Sequence, residues 1–143
     1  MPTPPKPLPN ITNLDRSYWQ AAKRHELHLQ KCLDCSNVRY PASPVCGRCG
    51  SNRYEWSKMS GRGEIASWVV FHRCYFPSFA GDIPYNVAMI ELEEGPMVIS
   101  NIVGIDNRFL FRGMRVEVVF DDVTEEITIP RFCIAKEEPV HAL

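Results

Sequence analysis

The chain has 143 residues, of which 45% are hydrophobic and 23% are charged, a composition typical of one ordinary globular domain or of two small modules. Sixteen basic and seventeen acidic residues leave a formal net charge of −1, which argues against a general nucleic-acid binder, because such proteins carry a clear excess of Lys and Arg. No stretch approaches the ~18 consecutive apolar residues of a membrane span, and residues 1–10 lack the apolar segment of a signal peptide. We therefore expect a cytoplasmic protein with no membrane contact.

Residues 1–11 contain five prolines and predict an extended, polyproline-like arm that is either flexible or laid across a partner. A helix is expected next, from Thr12 to about His25, within an N-terminal helical segment that we place at residues 12–28. Thr12 and Asp15 have the spacing of a capping box, in which a hydroxyl and a carboxylate satisfy unpaired N–H groups at a helix start. The helix should therefore begin close to Thr12.

Tyr18 and Trp19 are large aromatic residues on this short helix. One interpretation is that they pack the helix against its own domain. The other is that they contact a partner, because large aromatic side chains are frequent anchors of protein interfaces. The sequence leaves both interpretations open.

Four cysteines form two Cys-x-x-Cys pairs, Cys32 with Cys35 and Cys46 with Cys49. Two residues between paired cysteines allow a tight knuckle with both sulfurs on one tetrahedral ion, and the spacer allows a hairpin to bring the second pair opposite the first. We predict a zinc ribbon over residues 29–58 that binds one Zn²⁺, structural because the protein fills all four positions. The alternatives are disulfides, an iron–sulfur cluster and thioredoxin-like redox chemistry.

The residues around these pairs indicate a small sheet. The expected short strands are one near Leu27 and Leu29, then Val38–Tyr40 and Arg53–Trp56. Gly47 and Gly50 are expected to supply the positive φ angles of the knuckles. The cations expected to offset part of the thiolate charge are Lys31, Arg39, Arg48 and Arg53.

Residues 59–136 are rich in β-forming residues and predict a five-stranded barrel of the OB type, followed by a tail at residues 137–143. The expected strands are Ile65–Phe71, Tyr85–Leu92, Met97–Val103, Arg115–Phe120 and Ile127–Ile134. An irregular loop, residues 73–84, separates the first two strands. Its aromatic residues include Tyr75, Phe76 and Phe79. Exposed aromatic residues are costly unless something covers them, so we expect this loop to contact a partner or a ligand. The expected fold is thus mainly β: an N-terminal helix, a four-cysteine zinc ribbon and a C-terminal OB-fold barrel.

No catalytic constellation is visible in the sequence. The four histidines are scattered, and there is no nucleophile elbow, P-loop or dinucleotide fingerprint. Cys74 and Cys133 are the cysteines outside the two pairs, and we expect each to be a small buried hydrophobe. We assign no catalytic residue and expect a binding or helper role rather than an enzyme that acts by itself.

Several motifs follow one another in a characteristic order. After Tyr18-Trp19 and the four cysteines come Ser60-Gly61-Arg62-Gly63-Glu64, Pro84-Tyr85-Asn86-Val87-Ala88, Leu92-Glu93-Glu94-Gly95-Pro96 and Gly113-Met114-Arg115-Val116-Glu117-Val118. In this order they resemble the DUF35 family, OB-fold proteins with an N-terminal rubredoxin-like zinc ribbon, over residues 12–136. The chain departs from the pattern at Met97, where many relatives are expected to have arginine.

The resemblance implies a role beside another enzyme. Members of the family accompany thiolase-superfamily enzymes, so the chain is expected to be a non-catalytic small subunit that stabilises a thiolase-type large subunit in a hetero-oligomer and helps to bind its acyl-CoA. The reaction would be thiolysis, acyl transfer or retro-aldol cleavage. Candidate cations for CoA are Arg108, Arg112 and Arg115, unless they belong to a solvated barrel surface. A single-stranded nucleic-acid-binding OB-fold protein and a stand-alone acyl-CoA-binding protein remain as alternatives.

Overall fold

The computed structural model describes residues 5–136. The first four residues of the predicted arm and the whole predicted tail, residues 137–143, lie outside this range. The described chain is mainly β with one α-helix, which confirms the expected fold class. The helix is α1 (Arg16–Lys23), and the strands are β1 (His28–Cys32), β2 (Val38–Arg39), β3 (Tyr54–Lys58), β4 (Arg62–Phe71), β5 (Tyr85–Leu92), β6 (Met97–Ser100), β7 (Arg115–Asp122) and β8 (Thr128–Ile134). None of its helices is long and apolar enough to cross a membrane.

Helix α1 has eight residues and is shorter than the expected helix from Thr12 to His25. The hydrogen bonds of the capping box are nevertheless present. The Thr12 N–H donates to Asp15 Oδ1 at 2.7 Å, and the Asp15 N–H donates to Thr12 Oγ1 at 3.4 Å. These bonds hold a turn over residues 13–15, and the helix begins only after it.

The helix ends at a residue in the left-handed conformation. His25 has a φ of 62°, and its N–H donates to the Ala22 carbonyl at 2.8 Å. The Glu26 N–H donates to the Ala21 carbonyl at 2.9 Å. This pair of bonds is a Schellman motif, in which the left-handed position is usually glycine.

A tertiary contact holds His25 in this unusual conformation. Its imidazole stacks on the Phe120 ring, with centroids 5.2 Å apart and planes 8° from parallel. Its Nε2 lies 3.0 Å from each carboxylate oxygen of Asp122. The end of the helix is therefore fastened to strand β7 of the barrel.

The ribbon contains a three-stranded antiparallel sheet in the order β2-β1-β3. Gln30 in β1 lies between Arg39 in β2 and Trp56 in β3. Because β1 ends at Cys32 and β2 begins shortly after Cys35, this hairpin positions the first cysteine pair.

The second sheet has five antiparallel strands in the order β6-β5-β4-β7-β8, and its two edges meet. A parallel bridge joins Ile102 to Phe132. The Phe132 N–H donates to the Asn101 carbonyl at 2.9 Å, and the Val103 N–H donates to the Phe132 carbonyl at 2.8 Å. This closure explains why β6 ends at Ser100 rather than at Val103, since the chain leaves β5 there to pair with β8. The other barrel strands end within three residues of their predicted bounds, and the OB-type barrel is confirmed.

One hydrophobic core joins the ribbon to the barrel. Leu27 and Leu29 belong to the same buried cluster as Ile65, Ile90 and Phe132. Burying a side chain of this size stabilises a fold by about 1.5–3 kcal/mol. The ribbon and the barrel therefore share one hydrophobic core.

Candidate metal centre and partner-contact residues

The two cysteine pairs share one local backbone pattern. The Ser36 N–H donates to the Cys32 carbonyl at 3.0 Å, and the Gly50 N–H donates to the Cys46 carbonyl at 2.8 Å. Ser36 and Gly50 each follow the last cysteine of their pair and have φ angles of 66° and 77°. The expectation for Gly50 is confirmed, whereas Gly47 is not among the positive-φ residues of the described chain. Nothing in the residue type of Ser36 indicated its role.

The four cysteine sulfurs converge on one point. The Sγ atoms of Cys32 and Cys49 are 3.6 Å apart, as are those of Cys35 and Cys46, and all four lie within 4.8 Å of one another. Sulfurs at the corners of a tetrahedron with Zn–S bonds of ~2.3 Å would be ~3.8 Å apart. The spacing therefore fits a four-thiolate metal site. Two of the ligands are buried, one is half-buried and one is exposed.

Backbone amides favour the thiolate form at two of these cysteines. The Cys35 amide lowers the pKa of Cys32, and the Cys49 amide holds the pKa of Cys46 at about 6. At Cys49 the Ser51 amide lowers the pKa, but hydrogen bonds with the neighbouring thiols outweigh it and raise the pKa to about 12. Because adjacent thiols resist joint ionisation, four thiolates at this spacing require a cation among them.

Polar contacts of Asp34 with Ser51 and Arg53 connect the two Cys-x-x-Cys turns. The Ser51 hydroxyl donates to one carboxylate oxygen of Asp34, and Arg53 Nη1 lies 3.2 Å from the other. Arg53 therefore pairs with a carboxylate next to the thiolates. These contacts of Asp34 fix the first pair of cysteines relative to the second, as a site built from four sulfurs requires.

Arg39 is the buried cation of the ribbon. Its Nε donates to Gln30 Oε1 at 2.9 Å, and its Nη2 donates to the Ser43 carbonyl at 3.0 Å. The guanidinium also lies 5.0 Å from the centre of the Tyr54 ring. Arg39 thus ties strand β2 and the loop that follows it to strand β1.

Tyr18 lies at the contact between α1 and the rest of the chain. Tyr18 packs against the core cluster, with its ring centroid 4.9 Å from that of Trp19 and 6.3 Å from that of Tyr40. Burial raises the pKa of the Tyr18 phenol well above its ordinary value. This placement is the one expected if Tyr18 packs the helix against its own domain, and a partner contact by Tyr18 or Trp19 stays a prediction.

The loop between β4 and β5 presents aromatic side chains to solvent. Tyr75 is 61% exposed and Phe76 is 59% exposed, whereas Phe79 is half-buried. The Lys6 ammonium lies 5.4 Å from the Phe79 ring centre and pairs with Asp82. At Lys6, therefore, the proline-rich arm lies on this chain's own loop.

A contact of any of the three candidate arginines with CoA or a partner stays a prediction. Arg108 Nε lies 3.4 Å from Asp106 Oδ2, and its guanidinium lies 5.0 Å from the Phe109 ring centre. Arg115 lines an open groove of about 1330 Å³ beside β4 and β7, which neither Arg108 nor Arg112 lines. The other charged residues of the groove are Arg62, Glu64, Glu91, Glu93, Glu117 and Lys136. With four carboxylates and, counting Arg115, three cations, the groove has no excess of positive charge for the phosphates of CoA.

The expectation for the two remaining cysteines is wrong for Cys74. It is exposed, and its Sγ lies 3.1 Å from the Phe76 carbonyl oxygen, because it belongs to the solvent-facing loop. Cys133 is half-buried on strand β8.

The outer face of strands β4, β5 and β6 carries apolar residues that the sequence did not single out. Val69, Met89, Met97 and Ile99 are between 39% and 56% exposed. A sequence signal existed, because β5 and β6 are apolar at nearly every position, whereas a strand with one solvated face normally alternates between apolar and polar residues. The pattern could not tell which face the core would use.

A four-thiolate ribbon fused to an OB barrel defines the class of protein. Two family models match the chain. The model for the ChsH2 rubredoxin-like zinc ribbon domain matches residues 19–55, and the model for the ChsH2 C-terminal OB-fold domain matches residues 56–121. A DUF35 domain-containing scaffold protein of Methanothermobacter thermautotrophicus is 38% identical over 117 residues, which cover 81% of this chain and 87% of that protein. The chain belongs to the DUF35 family.

Two further similarities concern larger assemblies. A probable enoyl-CoA hydratase alpha subunit of Thermomonospora curvata is 36% identical over 128 residues, covering 89% of this chain but only 39% of that protein. The chain thus spans about two-fifths of that relative's length. Among solved structures, a chain of the Ltp2-ChsH2(DUF35) aldolase superimposes with a TM-score of 0.81 at 33% identity, covering 90% of this chain and 100% of that one.

Proposed function

We propose that this chain is a non-catalytic small subunit of a thiolase-type acyl-CoA enzyme complex, in which it stabilises the large subunit. The observation that carries the proposal is the match over the full length of a chain in the Ltp2-ChsH2(DUF35) aldolase. The name of that structure combines Ltp2 with ChsH2(DUF35), and the family models that match this chain are models of ChsH2 domains. This supports the assignment of the present chain to the accessory component.

The names of the relatives support the substrate class. One relative is a scaffold protein and another is the alpha subunit of a probable enoyl-CoA hydratase, so both an accessory role and a CoA thioester are represented among them. The resemblance of the motif order to the family supports a thiolase-type partner. Because Arg115 lines an open groove whose lining residues do not include Arg108 or Arg112, the role proposed is scaffolding of the partner rather than capture of CoA by this chain alone.

The proposal includes one structural Zn²⁺, held by Cys32, Cys35, Cys46 and Cys49. Bound there, zinc would cross-link the two knuckles, and with four protein ligands it would offer no position for a reactive water. Structural zinc contributes about 10–16 kcal/mol to the folding of comparable peptides.

Replacement of one ligand tests this metal assignment. Cys46→Ser should reduce bound zinc, measured by elemental mass spectrometry, and should lower the melting temperature of the whole chain, because the ribbon shares the barrel's core. Cys74→Ser is the matched control, since this exposed thiol lies outside the cluster, and it should keep both zinc and stability. A Cys46→Ser protein with unchanged zinc content and melting temperature would contradict the assignment.

Affinity capture followed by reconstitution tests the complex. The tagged chain is purified from its native host at low salt, and co-purifying proteins are identified by mass spectrometry. We expect a thiolase-superfamily protein in near-equal amount, whose activity on acyl-CoA and whose solubility increase when the two purified proteins are combined. Recovery of single-stranded nucleic acid alone, released by salt, would refute the proposal in favour of the nucleic-acid alternative.

A second candidate is a subunit of an acyl-CoA hydratase. It is favoured by the relative named as a hydratase alpha subunit, which contains a segment similar to this chain within a longer protein. The same capture experiment separates the two, because a hydratase partner would add water to an enoyl-CoA whereas a thiolase-type partner would make or break a carbon–carbon bond.

A further inference from the structure

The outer face of the barrel continues into the aromatic loop without a break. Cross-strand neighbours on this face form rows: Ser67 with Met89 and Ile99, then Val69 with Val87. The next row pairs Phe71 with Tyr85, whose rings stack with centroids 5.1 Å apart. Within the described residues no other element packs over Val69, Met89 or Ile99, and each of the three is exposed.

Aromatic contacts carry the surface from the sheet to the loop. The ring centroids of Tyr75 and Phe71 are 6.2 Å apart, and those of Phe79 and Tyr85 are 5.7 Å apart. Phe76 follows 6.2 Å beyond Phe79. The loop is therefore an extension of the sheet face. We call the combined surface the outer barrel face.

The exposed area of the outer barrel face lies at the upper end of the range for the largest apolar patch of a monomer. Its six most exposed apolar residues are Val69, Tyr75, Phe76, Met89, Met97 and Ile99, each between 39% and 61% exposed. From the usual sizes of such side chains they present on the order of 600 Å² of surface. The largest apolar patch of a typical monomer is ~300–600 Å², and a standard interface takes ~800 Å² from each partner.

The charges around this face select the kind of partner. At the loop end of the face, the Arg73 guanidinium lies 5.5 Å from the Tyr75 ring centre, and Lys6 pairs with Asp82. At the other end, Glu64 faces Glu91 across β4 and β5 and Arg115 across β4 and β7, and Glu91 also faces Met97. OB barrels bind nucleic acid with the corresponding face of their second and third strands and with the loop between the first and second strands. A strand of phosphates requires a cationic groove there, whereas the middle of this face is apolar and the charges at its two ends are of both signs.

We infer that the outer barrel face is the surface on which the large enzyme subunit docks, through an apolar and uncharged area of that subunit. The inference rests on the proposed function and specifies where the partner binds. Met89, on the middle strand of the three, is flanked by Ser67 and Ile99 and lies at the centre of the contact. The aromatic loop, residues 73–84, forms one edge of this contact.

Charge substitutions at the centre of the face test the inference. Met89→Lys and Met89→Glu are each combined, as full-length chains, with the purified thiolase-superfamily subunit identified in the capture experiment, and affinity is measured by interferometry. Both should lose at least about 30-fold in affinity, because a charge of either sign is desolvated at an interface centre. Wild-type affinity should change little between roughly 0.05 and 0.5 M salt, since an apolar contact is not screened.

Leu33→Lys is the matched control, an exposed apolar residue in the first cysteine knuckle. It should bind like the wild type, and all variants should keep the wild-type zinc content and melting temperature. If the wild type binds the subunit and the Met89 variants bind within threefold of it, or if Leu33→Lys alone loses affinity, the docking face is refuted while the proposed function stands. If the wild type binds no such subunit, the proposed function itself fails.

Discussion

Asn86 is expected to be one of the most sensitive polar residues of the barrel. Its side-chain Nδ2 donates to the Ile102 carbonyl at 2.8 Å and to Asn107 Oδ1 at 2.8 Å. Its Oδ1 accepts from the Ile102 N–H at 2.7 Å. Ile102 is 3% exposed and is bridged to Phe132, so this amide holds the segment that closes the barrel.

The structure sets the magnitude of the effect. In Asn86→Ala, the N–H and the carbonyl of Ile102 both lose their side-chain partner in a buried place, and each unsatisfied group costs ~1–3 kcal/mol. We expect a loss of about 3 kcal/mol in the free energy of unfolding, or a drop of about 10–15 °C in melting temperature for a chain of this size. Asn86→Asp should lose more at neutral pH, because it places a carboxylate against the Ile102 carbonyl.

Urea unfolding followed by tryptophan fluorescence, with zinc present, measures this loss. Asn107→Ala is the control, since it removes one hydrogen bond to Asn86 and one to the exposed Pro84 carbonyl and leaves the Ile102 groups paired. It should cost less than half as much as Asn86→Ala. A loss below 1 kcal/mol for Asn86→Ala, or equal losses for the two variants, would refute the reasoning.

Two further predictions concern pH and packing. Burial raises the pKa of Tyr18 above its ordinary value of 10.0, so the folded state holds this proton more tightly and loses stability as the pH rises above 10. The free energy of unfolding should therefore fall less steeply with rising pH above 10 for Tyr18→Phe than for the wild type. An equal dependence on pH in the two proteins would contradict the claim. In Gly63→Ala, the new Cβ would lie 2.4 Å from the Glu91 carbonyl oxygen inside the paired strands, so we expect a loss of ~1–3 kcal/mol. Gly81→Ala, with open space around it, should lose almost nothing in the same urea-unfolding assay, and equal losses for the two variants would refute the clash.

The metal site shows how far local sequence reaches. The two-residue spacing within each pair of cysteines constrains the backbone directly, so Cys32, Cys35, Cys46 and Cys49 could be assigned to one cluster before any fold was known. The same local logic predicted the Thr12–Asp15 hydrogen bonds. Such features involve residues a few positions apart, where the chain itself limits the geometry.

The candidate arginines and the outer barrel face show where local pattern stops. Arg108, Arg112 and Arg115 are close in sequence, yet of the three only Arg115 lines the groove beside β4 and β7. Strands β5 and β6 carry apolar residues on both faces. The sequence pattern therefore could not predict which face the core would occupy, or that Met89 would remain exposed to solvent.

What the sequence by itself determined was therefore the cluster of four thiols, the order of the elements and the class of the fold, because spacing and periodicity act within a few residues. The tertiary structure decided the closure of the barrel through Ile102 and Phe132 and the left-handed conformation of His25. The latter is held by Phe120 and Asp122, nearly a hundred positions further along the chain. Contacts at that separation depend on how the strands curl and pair, and no local pattern in the chain encodes them.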